Sequence, residues 1–199
     1  MIKKWNYLIV LCLALVLVAE VKTVAEEVVS AEEPARATVS LGVVAVGDVP
    51  SEVVEQVVEH MRATLLCDIQ VLEARQTAGE ESLQAEAAVL ADAVGEHRGV
   101  VAFAKVAEDL EEHGAFLPKQ KVGLLNVTGL QGDGGTDQLV VRLKKESVHC
   151  GGMLLGMARC PNSHCALWQY RNDEGLAFKG DRFCPPCQKR IRELVGSDV

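Results

Sequence analysis

The chain has no surplus of basic side chains: Lys and Arg number 20 against 28 Asp and Glu, a formal net charge of −8. Phosphate backbones demand clustered Lys and Arg, so this balance argues against a nucleic-acid partner. It argues equally against docking on an anionic membrane surface. No internal repeat is visible, which removes solenoids and other arrays. A long apolar run is missing as well. The longest stretch, Trp5 to Ala19, falls short of the roughly 20 residues needed to cross a bilayer.

That stretch follows Lys3 and Lys4, and a basic start before a short apolar core is the layout of a secretory signal. Residues 1–25 are therefore read as a signal peptide, with cleavage after Ala25, or as an uncleaved N-terminal anchor. The expected location is periplasmic or extracellular, with membrane attachment only if the segment is retained. Cys12 lies inside the apolar run and reads as a small hydrophobe. Residues 26–37 form an acidic linker interrupted by Pro34. Removing residues 1–25 takes the net charge from −8 to −10. Residues 38–199 remain as one domain, and a chain that is 49% hydrophobic can bury an ordinary core.

Apolar periodicity supplies the fold class. Val39–Val46 is short and Val-rich and ends at Gly47-Asp48, the pattern of a buried strand. Val53, Val54, Val57, Val58, Met61 and Leu65 then fall on one helical face. Asp68–Glu73, Gly99–Val106 and Lys121–Val127 read as further strands, and Ser82–Val94 as a second helix. The turn Gly132–Gly135 precedes a long helix for which Thr136 or Asp137 is the expected N-cap. Gln188–Leu194 reads as a short basic helix. The expected architecture is α/β: a mostly parallel sheet with packed helices, leading into a cysteine-rich C-terminal segment.

Four of the seven cysteines lie there, as Cys160-x4-Cys165-x18-Cys184-x2-Cys187. Two close pairs separated by a loop suit a tetrahedral zinc ion, each turn supplying two thiolates. Four thiolates leave no open position for water, so such a zinc is structural. Two disulfides are the other reading, and export favours them. His164, between the ligands, could replace one cysteine.

The residues before the cluster run Lys145-Glu146-Ser147-Val148-His149-Cys150-Gly151-Gly152-Met153-Leu154-Leu155-Gly156-Met157-Ala158-Arg159-Cys160. From Lys145 to Arg190 the chain resembles the archaemetzincin metalloproteases (peptidase family M54), whose signature HExxHxxGxxH runs directly into Cys-x4-Cys-x-Met and a later Cys-x2-Cys. The resemblance implies a metzincin-like fold and a zinc-bound cysteine segment. In that signature two histidines one turn apart bind catalytic zinc and the Glu acts as general base. Here His149 fills the first His position and Gly156 is retained. Cys150 stands at the Glu, Met153 at the second His, Arg159 at the third and Leu167 at the Met. Bound zinc lowers the pKa of water from about 15.7 to about 7. Losing it makes hydroxide harder to form by about 12 kcal/mol, at about 1.36 kcal/mol per unit.

The sequence therefore points to a catalytically inactive archaemetzincin-like protein with one structural zinc on Cys160, Cys165, Cys184 and Cys187. Its remaining work would be to bind a peptide or protein, for example an extended peptide beside an edge strand. Two alternatives stay open: a metallopeptidase with a rearranged ligand set using His149, and a disulfide-bonded secreted binding domain. His149, Met153 and Met157 also share a face suited to Cu(I), although Met at this spacing usually fills a core. Cys67 is expected to be buried and inert, and His60, His97 and His113 to be solvated. Glu146 stands one turn before His149, where it could accept the ring N–H.

Overall fold

The computed structural model describes residues 39–80, 82–106 and 112–196. The signal or anchor segment, the acidic linker and Cys12 lie outside the described residues. No described helix is long and apolar enough to cross a membrane.

Five strands form one sheet: β1 (Ser40–Val46), β2 (Asp68–Val71), β3 (Val100–Ala104), β4 (Gly114–Leu117) and β5 (Val122–Asn126). Their order is β2-β1-β3-β5-β4. β1 pairs in parallel with β2 and β3, and β3 in parallel with β5. Only β4 runs antiparallel, against β5. Every residue of β3 and β5 is buried, as expected of central strands covered on both faces. Alternation divides the side chains between two cores. Leu41, Val43, Val101, Phe103 and Leu125 face one side, and Val44, Val46, Val100, Ala102 and Leu124 the other.

The first core is closed by α1 (Ser51–Leu65) and α4 (Gly135–Leu154). The apolar stripe of α1 is buried as its spacing predicts. Against the second core lie α2 (Leu83–Ala88) and a 3-10 turn at Ala91–Val94. The single helix expected over Ser82–Val94 is thus broken at Val89-Leu90. The break keeps Leu83, Ala87, Leu90 and Val94 all directed at the sheet. Among the described residues three short helices remain: α3 (Val127–Gln131), α5 (Asp173–Phe178) and α6 (Pro185–Val195). The expected N-cap of α4 is also displaced. Its cap is Gly134, without a side-chain hydrogen bond, and Asp137 sits in the first turn, where its charge meets the helix dipole.

Two adjacent glycines let α4 lie close to its neighbours. A β-carbon on Gly151 would come 2.6 Å from Leu65 Cδ1, and one on Gly152 would come 2.9 Å from Leu167 Cδ2. α4 is therefore wedged between α1 and the cysteine-rich segment.

A four-cysteine centre beside a cleft

Helix α4 ends in a Schellman turn. The N–H of Gly156 donates to Met153 O and that of Met157 to Gly152 O, at 3.1 and 2.9 Å. Gly156 takes φ 91°, a value open to glycine at little cost. The chain reverses there, which returns Arg159 to the cleft floored by His149 and delivers Cys160 to the cysteine cluster.

Two backbone hydrogen bonds assemble the cluster, the first closing the Cys160–Cys165 arm on itself and the second joining it to the other arm. Cys160 N–H donates to Leu167 O at 3.0 Å, and Ala166 N–H to Arg182 O at 2.9 Å. Cys184 caps α6, and Pro185 and Pro186 occupy the first helical positions, where no N–H is required. Cys187 follows in the first turn, at the positive end of the dipole. The sulfurs of Cys160, Cys165, Cys184 and Cys187 all lie within 4.8 Å of one another. Those of Cys160 and Cys184 are 3.7 Å apart. Ligands at about 2.3 Å around a tetrahedral zinc stand about 3.8 Å from each other, so the set fits one zinc ion. All six described cysteines are free thiols, and the cluster is one four-sulfur group rather than two bonded pairs. Desolvation works against the Cys184 thiolate, but hydrogen bonds from Cys187, Cys160 and Cys165 outweigh it and hold its pKa below the ordinary value. His164 is exposed and stands outside the group.

Beside this centre opens a cleft of about 500 Å³. Edge strand β4 forms one wall through Gly114, Ala115 and Phe116, and His149, Cys150, Arg159, Tyr170 and Lys179 are among the residues that line the rest. His149 Nδ1 lies 3.0 Å from Ala166 O. A carbonyl only accepts, so Nδ1 carries the proton and Nε2 is the acceptor. Burial, then the charge of Lys179, hold the His149 pKa below its ordinary value, against the opposing pull of Glu146. Arg159 adds to the depression.

Glu146 does not orient His149, contrary to the expectation from its position. Its carboxylate accepts from Lys179 Nζ at 2.6 Å, in an ion pair whose ammonium side chain is 1% exposed. The ammonium also lies 5.2 Å from the centre of the Tyr170 ring. Next door, Lys145 Nζ donates to the Leu176 and Ala177 carbonyls at the end of α5, both at 2.9 Å. A buried pair 33 residues apart has no local signature, which is why the sequence did not reveal it.

Cys150 is buried and packs on β5. A β-carbon on Gly123 would sit 3.2 Å from its sulfur. Burial pushes its thiol up to about 12, so it is neither nucleophile nor ready ligand. Met153 is half-buried, and Met157 and Leu167 are buried in the first core. Cys67 is half-buried rather than buried, and burial pushes its thiol up to about 12.

The three histidines expected to be solvated are instead tied down. His60 bonds Asp181 O at 2.9 Å, joining α1 to the cysteine-rich segment. His97 bonds Ser40 Oγ at 2.9 Å. His113 bonds Tyr170 Oη at 2.9 Å and lies 3.3 Å from Asp173. Their charged sequence neighbours disguised these long-range contacts.

No protein-family model matches the chain. No curated protein matches it either. Solved structures do. An archaemetzincin from Methanopyrus kandleri superposes with a TM-score of 0.66 at 20% identity, covering 82% of this chain and 99% of that one. A zinc-dependent peptidase from Methanocorpusculum labreanum gives 0.63 at 18% identity, over 76% and 99%. An archaemetzincin from Archaeoglobus fulgidus, complexed with malonate, gives 0.59 at 17%, over 75% and 99%.

Proposed function

From an archaemetzincin-like fold with a four-cysteine site, we propose that this chain is a catalytically silent relative of those peptidases that binds extended peptides. One structural zinc ion is held by Cys160, Cys165, Cys184 and Cys187. The metal supplies folding energy to a loop-rich segment with little core of its own. Export by the N-terminal segment completes the reading.

The observation that carries this proposal is the charge around His149. In the signature that the sequence resembles, three histidines and a glutamate surround a catalytic zinc. Here His149 is the one remaining imidazole, and Lys179 and Arg159 both depress its affinity for a proton. The same field opposes a divalent cation at Nε2. The carboxylate best placed to offset it, Glu146, is already paired with Lys179. What persists is a cleft walled by an edge strand, and such an edge accepts an extended chain through main-chain hydrogen bonds.

Metal content per chain tests the reading, measured on protein lacking residues 1–25, together with the thiol count after denaturation in chelator. One zinc, all of Cys67, Cys150 and the four cluster thiols reactive, and no chelator-sensitive peptide cleavage are expected. Two metals per chain, with cleavage abolished in His149→Ala, would overturn the inactive reading. No metal and four blocked thiols would overturn the zinc assignment.

A further inference from the structure

Strand β4 exposes a defined set of main-chain groups to the cleft. Asn126 N–H donates to His113 O at 2.9 Å, which makes His113 and Asn126 a hydrogen-bonded pair in the antiparallel register of β4 and β5. Pairs of this kind alternate along an antiparallel ladder. Ala115 and Leu117 therefore bond to β5, and the N–H and C=O groups of Gly114 and Phe116 point to the free edge. Among the described strands none pairs with that edge. Gly114 bears no side chain to shield its backbone.

The charges around this edge are unequal once internal pairs are removed. Lys179 is matched by Glu146. Asp173 is matched by Arg142 at 3.1 Å. Among the described lining residues this leaves the exposed Arg159 and Arg171 against one exposed carboxylate, Glu112. Arg159 is placed by the Gly156 turn and lines the same cleft as the β4 edge. A guanidinium presents paired donors that match a carboxylate in a fork, so it favours that anion over a neutral group.

We propose that the cleft recognises the C-terminal carboxylate of an extended peptide: Arg159 holds the carboxylate while the peptide main chain adds to β4 at Gly114 and Phe116. This deepens the peptide-binding reading above and rests on it. The end of a chain, rather than an internal segment, is the ligand. Arg159, out of place as a metal ligand, becomes the determinant of specificity.

The test uses the full chain and an N-terminally fluorescent pool of hexapeptides built from uncharged residues, as the free acid and as the C-terminal amide, read by polarisation. The acid should bind at least tenfold more tightly than the amide. Arg159→Ala should bring the acid down to the level of the amide, and Arg159→Lys should restore part of the difference. Phe116→Pro, which deletes one edge N–H, should weaken both forms alike. Equal binding of acid and amide, unchanged in Arg159→Ala, would overturn the carboxylate assignment and leave peptide binding standing. No binding of either form would overturn peptide binding itself, and the carboxylate assignment with it. A melting temperature within about 2 °C of wild type checks that each variant is folded.

Discussion

Replacing Lys179 by Met tests the buried ion pair directly. The ammonium side chain is 1% exposed and that of its partner Glu146 is 11% exposed, with 2.6 Å between the charged atoms. Methionine keeps most of the length and volume but removes the charge. Glu146 is then left in a poorly solvated site without its cation, and breaking a buried pair in this way costs about 3–5 kcal/mol. For a domain of about 160 residues each kcal/mol moves the melting temperature by about 2–4 °C, so a fall of about 6–20 °C is expected. Removing both charges, as Lys179→Met with Glu146→Leu, should recover most of the loss, because an apolar pair of similar volume carries no desolvation penalty. Urea unfolding in excess zinc keeps the cysteine centre loaded and gives the free energies. The imidazole signals of His149 provide a second readout: without Lys179 its pKa should rise, since that charge is the main electrostatic depressant. If Lys179→Met unfolded within about 1 kcal/mol of wild type, or the double variant were less stable than the single, the reasoning would be refuted.

Three other outcomes are expected. Stripping zinc with a strong chelator should expose residues 160–187 to proteolysis, because structural zinc contributes about 10–16 kcal/mol in small domains at neutral pH; a protease-resistant, metal-free chain would count against a structural role. Gly180→Ala should cost about 1–3 kcal/mol and weaken zinc retention, as its β-carbon would run into the His164 carbonyl oxygen beside Cys165; urea unfolding and metal analysis measure both. The folded state holds its His149 proton less tightly than the unfolded state, so the unfolded chain takes up more protons as pH falls through the ordinary value of 6.5. Stability should therefore decline below that pH and be complete above it, and His149→Gln should flatten this part of the profile in thermal melts.

Much of the frame was legible because it rests on local periodicity. The α1 stripe, the parallel strands and the cysteine spacing each state their structural role within a few residues. So does Gly156, whose position in the pattern matched the turn that ends α4. The cleft was less legible. β4 is four residues long and joins the sheet only as an edge, so its pattern was too short to be recognised. Lys179 and Glu146 meet across 33 residues, and His113 and Tyr170 across 57. Such pairs are chosen by the folded surface, not by sequence neighbours. The three histidines illustrate the same point: each looked solvated beside charged residues, and each found its partner on another element.

Ala166 links the cysteine cluster to the cleft. Its N–H belongs to the hydrogen bonding that joins the two arms of the cysteine cluster, and its carbonyl holds the proton of His149 on Nδ1. One peptide unit, next to Cys165, thus has the metal knuckle on one side and the cleft on the other. If the knuckle loosened, the imidazole would lose the acceptor that fixes its tautomer, and the proton could migrate to the nitrogen facing the cleft. A ring that now offers a lone pair would then offer a hydrogen. The chemical character of the cleft floor is in this sense a gauge of whether the ion some residues away is in place.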